Sequence, residues 1–190
     1  MGDKIPKSVQ FLKGVGPKWA EVLAKLDIYT VKDLLYYFPR DYEDRSTISK
    51  VENVQPGKNY ALKVKVENIK IKSPKKGLKI LEIKFSDNTG VINGLWFNQI
   101  FYKKQFEKEK WYYISGEIDQ DSWQYRRLQI NNPVFEKANS NVQIHTNRIV
   151  PIYSLTKNLT QKRIRHIIYL ALKDYAIHLK DIILLKLIKV

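Results

Sequence analysis

A strand–turn–strand–helix–strand pattern between Phe85 and Ile118 constrains the fold of this chain more than any other feature. Asp87-Asn88-Thr89-Gly90 has the composition of a hairpin turn, and the strand-like run after it ends in Trp96-Phe97. The residues from Asn98 to Lys108 predict a short basic helix, and a further strand begins at Trp111. The pattern therefore predicts a curved sheet with one helix inserted between two of its strands.

Alternation with a period of two supplies the rest of the sheet. Leu62, Val64 and Val66 alternate with charged residues, which predicts a half-buried first strand. The phase of the alternation changes after Asn68, and such a change indicates a bulge. The other predicted elements are a basic loop at residues 73–77, a second strand around Leu81–Phe85, a fifth strand at Trp123–Ile130 and a short closing segment at Val134-Phe135.

Five strands with a single helix between the third and the fourth have the order of an OB-fold. The predicted fold class is mostly β with helical extensions: a five-stranded OB-fold barrel, preceded by a small helical segment and followed by a C-terminal helix. The predicted domains are an N-terminal helical segment at 1–49, the OB-fold domain at 50–136, a linker at 137–150, and an extended segment with a helix at 151–190.

The flanking segments carry helix signals. Gly14-Val15-Gly16 precedes a helix expected to begin at Pro17, in a pattern like a helix-hairpin-helix turn. Such a turn either offers backbone N–H groups to a DNA phosphate or only permits a tight corner. Thr30 and Thr160 are predicted N-caps. The segment Pro39–Arg45 is predicted to be a loop held by local ion pairs.

The last helix has an apolar face. This face comprises Ile164, Ile167, Ile168 and Leu172, and the apolar run from Ile182 to Ile188 follows it. We expect this surface to pack either on a further domain or on the barrel.

Positive charge dominates the chain and is concentrated after residue 49. The net charge is +15, with eighteen basic and ten acidic residues in 50–150 and eight and two in 151–190. Because Lys and Arg displace counterions from phosphates, this distribution favours a polyanionic partner. The alternative is a lysine-rich composition with solvated surfaces.

Several kinds of chemistry have no sequence signal. The chain has no cysteine and no phosphate-binding G-x-x-x-x-G-K-[ST] motif. Its three histidines, His145, His166 and His178, lack metal-ligand spacing. We therefore predict a binding module without catalytic residues, cofactor or metal. No secretory signal or membrane span is evident, so the predicted location is cytoplasmic.

Strand parity separates the two aromatic residues that end the third strand. Ile92, Gly94 and Trp96 share one face, which is the more uniformly apolar or small, so Trp96 is predicted to be core and Phe97 exposed. Exposed aromatic rings on OB-folds stack on bases. The candidate phosphate contacts are Lys72, Lys75, Lys76 and Lys79 around the first hairpin, Lys103 and Lys104 on the helix, and Arg126 and Arg127 on the fifth strand. Each of them is alternatively a solvated surface cation.

Taken together, the ordered motifs resemble the N-terminal part of the RecG family of branched-DNA helicases. The matching segments run from residue 10 to residue 175. They are Leu12–Lys18, Thr30–Leu35, Pro39-Arg40, Tyr42–Arg45, Asp87–Gly90, Trp96–Gln99, Gly116, Asn132-Pro133, Pro151–Tyr153, Leu155-Thr156, Leu159–Gln161 and Arg165. Asp41 and Ser154 depart from the residues common in the family, which are basic and Pro respectively.

The resemblance implies a wedge that separates strands where stalled replication forks or Holliday junctions branch, in DNA repair and recombination. Phe97 matches the family's first base-stacking aromatic residue, and Phe101 matches the second, with Tyr102 as the alternative. The implied partners are branched DNA, its single-stranded arms and the helicase motor. ATP and Mg²⁺ belong to that motor, whose motifs this sequence lacks, and the implied location is the nucleoid-associated cytoplasm of a bacterium.

Two other functions fit the residues. One is a free-standing OB-fold that binds single-stranded nucleic acid. The other is a protein-interaction OB module whose basic charge is incidental.

Overall fold

The structure, a computed structural model, describes residues 5–120, 127–139 and 143–179. The chain forms two compact units. One comprises the residues up to Glu43 together with those from Pro151 onward, and the other comprises Asp44–Val150. The N-terminal segment and the C-terminal helix, predicted as separate regions, thus contribute to one helical unit.

Three α-helices and nine strands make up the described secondary structure, together with short 3₁₀ turns. In chain order they are α1 (Pro17–Ala24), α2 (Val31–Leu35), β1 (Asp41–Asp44), β2 (Ile48–Ser49), β3 (Asn59–Lys75), β4 (Leu78–Ser86), β5 (Val91–Phe97), β6 (Trp111–Gln120), β7 (Leu128–Asn131), β8 (Val134–Lys137), β9 (Ile149–Ile152) and α3 (Gln161–Tyr175). The longest 3₁₀ helix, Ile100–Gln105, occupies the place of the predicted basic helix.

The sheet of the second unit has seven strands, and five of them form a closed ring, with β2 paired to β3 and β8 paired to β6. The order in the ring is β3-β4-β5-β7-β6, and β6 pairs again with β3. β5 and β7 run parallel, whereas the other neighbours in the ring are antiparallel. Along the chain, β5 and β6 are the third and fourth of the five ring strands, and the 3₁₀ helix lies between them. The OB order predicted from the sequence is therefore confirmed.

Strand β3 is longer than predicted. Its pairing with β4 shifts register between Val66 and Asn68, where the sequence predicts a bulge. A second shift lies between Lys72 and Lys75, and the strand continues through Pro74. The predicted loop at 73–77 is therefore wrong, because only Lys76 and Gly77 form the turn. An irregularity in the ladder is where a strand tolerates proline.

The core of the ring is apolar and aromatic. Trp96 is 1% exposed and lies against Phe85, Phe106 and Phe135, at ring-centroid distances of 6.5, 5.2 and 5.6 Å. The Trp96 indole folds back over Gly94 of the same strand. A Cβ on Gly94 would lie 2.8 Å from that indole, so this position needs glycine. The core position predicted for Trp96 is confirmed.

The helical unit has its own apolar core. Ile164, Ile167 and Ile168 of α3 are buried with Leu23 of α1 and Leu34 of α2. The apolar face of α3 therefore packs within its own unit, and both expectations for it, a further domain and the barrel, are wrong for these residues. Residues 182–188 lie outside the described part of the chain.

Local sequence signals explain how the helices begin. Thr30 and Asp33 form a reciprocal capping box at α2, in which the Asp33 amide donates to Thr30 Oγ1 at 3.0 Å. Thr160 caps α3, as predicted. Gly14 has φ +82°, a conformation that favours glycine, and its carbonyl accepts a hydrogen bond from the Arg163 guanidinium. The Gly14–Gly16 turn thus forms a tight corner, and its contact with phosphate stays a prediction.

The segment predicted as the loop Pro39–Arg45 contains a strand instead. Asp41–Asp44 form β1, which pairs with β9, and the Arg40 amide donates to the carbonyl of Ile152 at 2.8 Å. Among the described residues, no helix is long and apolar enough to cross a membrane. No three potential metal-ligand side chains cluster there either.

Candidate nucleic-acid interface

Phe97 lies at the last position of β5, on the outer face of the ring. Its outward direction, next to the fully buried Trp96, agrees with strand parity, but Phe97 is half-buried and not exposed as predicted. The register places Phe97 beside Ile80 of β4 and Ile80 beside Lys72 of β3. One edge of the ring therefore combines an aromatic ring with a cationic residue on adjoining strands.

Two asparagines hold the backbone that carries Phe97. Asn98 exchanges two hydrogen bonds with the backbone of Lys79, at 2.7 and 2.9 Å. Asn132 donates its amide to the carbonyl of Leu95 at 2.7 Å, and its side-chain oxygen accepts from the Phe97 amide at 3.4 Å. Both asparagines have positive φ, near 50°, a conformation that asparagine adopts more readily than most residues. The Phe97 backbone is thereby fixed from two sides.

Sequence reasoning gave these asparagines no role. Their positions in Trp96–Gln99 and Asn132-Pro133 were the available signal, because asparagine at a strand end is typical of left-handed backbone. We assign them a positioning role for Phe97.

The two candidates for a second stacking residue, Phe101 and Tyr102, lie on the 3₁₀ helix after β5 and differ in exposure. Phe101 is 58% exposed, whereas Tyr102 is partly buried against Trp96 and Phe135, at 6.4 and 5.2 Å between ring centroids. The Tyr112 hydroxyl donates to the carbonyl of Gln105 at 3.0 Å and so holds the end of this helix. Burial raises the pKa of the Tyr112 phenol, and since a phenol is protonated at neutral pH even without this shift, the hydroxyl is available as a donor. Phe101 has the better geometry for stacking.

Five candidate phosphate contacts are exposed lysines. They are Lys75, Lys76, Lys79, Lys103 and Lys104. Among the described residues, no ion pair engages any of the five. Lys79 adjoins the edge that carries Phe97, because its backbone is hydrogen-bonded to Asn98, and the 3₁₀ helix that carries Lys103 and Lys104 contacts β4. Cations without an ion-pair partner beside a partly exposed aromatic residue form a suitable surface for a nucleic-acid backbone.

The other predicted cations differ from these five. Lys72 and Arg127 both form ion pairs with Glu82, and Arg127 lies 2.7 Å from that carboxylate. Arg127 also donates to the side chain of Asn93 at 3.2 Å. Both cations are therefore partly neutralised on the outer face of β4 and β5, although their contact with DNA stays a prediction. Arg126 lies outside the described residues.

Glu82 is a buried acid on this otherwise basic face. Its residue is 7% exposed, and burial alone raises a carboxyl pKa. The hydrogen bonds and positive charges of Lys72 and Arg127 outweigh burial and hold the pKa of Glu82 below its ordinary value of 4.5. A depressed pKa in the folded state stabilises the protein above the unfolded pKa, and this stabilisation is lost as the pH falls through the folded value.

We expect Glu82→Gln to lower the free energy of unfolding by about 1–2 kcal/mol at pH 7, because it leaves two cations without their anion. The estimate is below that for a fully buried pair because the side chains of Lys72 and Arg127 are 48% and 31% exposed. The difference between wild type and variant should shrink as the pH falls below 4.5. Urea titrations at pH 7 and at successively lower pH measure it, with the exposed Glu117→Gln as the control. A pH-independent difference would contradict this account.

Comparison with known proteins decides the family. A family model described as the RecG wedge domain matches residues 8–174. The chain belongs to the RecG wedge domain family. The ATP-dependent DNA helicase RecG of Thermotoga maritima is 34% identical over 162 residues, which cover 84% of this chain and 20% of the helicase. The RecG of Staphylococcus aureus is 30% identical over 182 residues, covering 91% of this chain and 25% of the helicase.

The wedge domain also has a similar solved structure, that of RecG bound to a three-way DNA junction. It matches with a TM-score of 0.75 and 31% identity, over 89% of this chain and 23% of that protein. The predicted fold class, an OB-like sheet with helices at both ends, is confirmed, as is the resemblance to RecG. The wedge domain spans about a fifth to a quarter of the length of these relatives.

Proposed function

We propose that this wedge domain binds branched DNA and separates the strands at the junction, as part of a RecG helicase that acts on stalled forks and Holliday junctions. The observation that carries the proposal is the similarity to RecG bound to a three-way DNA junction. The ATP and Mg²⁺ that power such a helicase would be bound by motor domains of the same protein. The place of action would be the bacterial cytoplasm, in DNA repair and recombination.

A rigid end of the ring suits the work of a wedge. The segment after Phe97 is fixed by Asn98, Asn132 and Tyr112, so little conformational entropy is lost when a base stacks on it. Phe97 takes a base at the branch point, and the exposed Phe101 takes a second. Because base stacking is tolerant of sequence, the same surface serves a junction of any sequence.

The exposed lysines supply the sequence-independent part of the affinity. Lys75, Lys76 and Lys79 lie at the β3–β4 hairpin, and Lys103 and Lys104 lie on the 3₁₀ helix. If all five reach phosphates of duplex DNA, the slope of log K against log salt is about −4 to −5. The outer face of β4 and β5, where OB-folds bind oligonucleotides, adjoins these lysines and provides a path for a single-stranded arm.

We expect the chain to bind a three-way fork at least about 10-fold more tightly than a single strand or linear duplex of matched length, because only the fork offers splayed bases beside duplex phosphates. Fluorescence anisotropy at several salt concentrations measures this affinity. The Lys103→Ala/Lys104→Ala double variant should reduce the salt slope by about 2, when measured on the same fork.

A matched control is Lys50→Ala/Lys58→Ala, which removes equal charge from exposed sites at the other end of the ring. Its salt slope should stay close to that of the wild type. Equal affinity for forks and single strands would instead favour a free-standing single-strand binder. Affinity that does not fall as salt rises would favour a protein-interaction module.

A further inference from the structure

A second set of aromatic residues lies on β6, a strand that β7 separates from β5 in the ring. Trp111 is 37% exposed, and Tyr113, two residues further, is partly exposed. Lys63 of β3 lies opposite Tyr113, and its ammonium is 6.0 Å from the ring centroid of each aromatic residue. We call Lys63, Trp111 and Tyr113 the β6 patch.

The core does not explain the β6 patch. Tyr112 and Ile114 alternate with Trp111 and Tyr113 on β6, and both are fully buried in the ring. The patch therefore lies on the outer face of a strand whose inner face already fills the core. Large aromatic side chains at alternate outward positions, with a cation between them, are an unusual use of a solvent-facing surface.

The cation beside the two aromatic rings favours a nucleic acid over an apolar protein surface. Glu67 and Glu109 both form ion pairs with Lys65, which lies opposite Trp111. Glu136, opposite Tyr113, accepts hydrogen bonds from the backbone amides of residues 144 and 145. The three carboxylates thus already interact with other groups, whereas the Lys63 ammonium lies beside the rings of Trp111 and Tyr113. An aromatic face beside a cation matches a base and its phosphate.

Strand direction places the patch toward the same end of the ring as Phe97. β3 and β5 both run antiparallel to β4, and β6 runs antiparallel to β3. The end of β5 and the beginning of β6 therefore point the same way, and the segment 98–110 joins them. Phe97 immediately precedes this segment, and Trp111 immediately follows it.

We propose that the β6 patch binds the second of the two DNA strands that the wedge separates, with a base stacked on Trp111 and the adjacent phosphate on Lys63. The proposal rests on the proposed function, because a wedge that parts two strands must leave one on each side of its leading segment. Phe97 and Phe101 take one strand, and Trp111 and Tyr113 take the other. The first site thus lies at the start of the segment that joins β5 to β6, and the second lies on β6 just after that segment ends.

The test uses four forks of one sequence: both arms duplex, either arm single-stranded, and both arms single-stranded. Trp111→Ala should weaken binding roughly 5- to 10-fold when both arms are single-stranded. Among the forks with one single-stranded arm, it should weaken one and not the other, and Phe97→Ala should show the opposite preference. Tyr29→Ala, which removes an exposed aromatic residue of the helical unit, is the matched control.

A second readout does not depend on how well Trp111→Ala folds. Stacking on a base quenches indole fluorescence, so oligo(dT) should quench the wild type more than Trp111→Phe, which lacks this indole but keeps a ring. Equal quenching would overturn the β6 patch, as would a Trp111→Ala variant that binds every fork like the wild type. If Phe97→Ala also left every fork unaffected, the proposed wedge function would fail as well. A loss confined to Phe97→Ala would overturn the β6 patch alone.

Discussion

Replacing Trp96 with alanine is expected to lower the free energy of unfolding of the second unit, Asp44–Val150, by about 3–5 kcal/mol. Trp96 is 1% exposed, and its indole packs against Phe85, Phe106 and Phe135, which are themselves buried. These neighbours come from β4, from the end of the 3₁₀ helix and from β8, so no single movement can fill the space left by the indole. The loss therefore includes a cavity as well as the lost transfer free energy.

Urea denaturation followed by far-UV circular dichroism measures this loss. Phe101→Ala is the control, since it removes an aromatic residue that is 58% exposed and should change the free energy of unfolding by less than about 1 kcal/mol. A Trp96→Ala loss of similar size to that of Phe101→Ala would contradict the assignment of Trp96 to the core. Gly94→Ala offers no cleaner test, because its Cβ would press on the same ring.

The features of the barrel that depend on neighbouring residues were predictable. The turn Asp87–Gly90 and the parity of β5 follow from a few consecutive side chains, and the structure has Val91–Phe97 as the strand. The Asp87 carboxylate accepts hydrogen bonds from the amides of Thr89 and Gly90, which is the local chemistry that the turn composition indicates. The sheet order followed because an OB-fold combines such local elements in one arrangement.

Features that depend on distant residues were not predictable. Arg127 meets Glu82 from 45 positions away, and neither residue has a local signal for the other. The core of the helical unit combines Leu23 and Leu34 with Ile164 and Ile167, from opposite ends of the chain. A period of 3.6 identifies the apolar face of each helix but not its partner.

The candidate site likewise has features that the sequence predicts and features that it does not. The outward direction of Phe97 followed from parity, although the residue is half-buried, and the basic character of the surrounding segments followed from composition. Which lysines form ion pairs did not follow from the sequence. Lys72 and Lys79 look alike there, yet Lys72 pairs with Glu82, whereas no ion pair among the described residues engages Lys79. The choice between Phe101 and Tyr102 needed the direction of each side chain on a 3₁₀ helix, which adjacency in the sequence does not give.

Phe97→Ala is expected to weaken binding to a fork with single-stranded arms by roughly 5- to 100-fold, because one stacked base contributes about 1–3 kcal/mol. The change in stability should be much smaller than for Trp96→Ala, since Phe97 is half-buried on the outer face of the ring. Asn98 and Asn132 hold the backbone of Phe97 through hydrogen bonds that do not involve its phenyl side chain. Fluorescence anisotropy with a labelled fork, together with a urea titration of the same sample, separates the two effects.

Leu95→Ala is the matched control for Phe97→Ala. Leu95 is two residues earlier on the same outer face of β5 and is also half-buried. Its replacement by alanine therefore removes a similar apolar contact without removing an aromatic ring. Phe97→Tyr keeps the ring and should restore most of the affinity, whereas Phe97→Leu should not. If Leu95→Ala weakened the fork as much as Phe97→Ala, the loss would reflect apolar contact along the whole face. Because only an aromatic face can replace the stacking lost when a base leaves the duplex, dependence on the ring at position 97 distinguishes a wedge from a general basic surface.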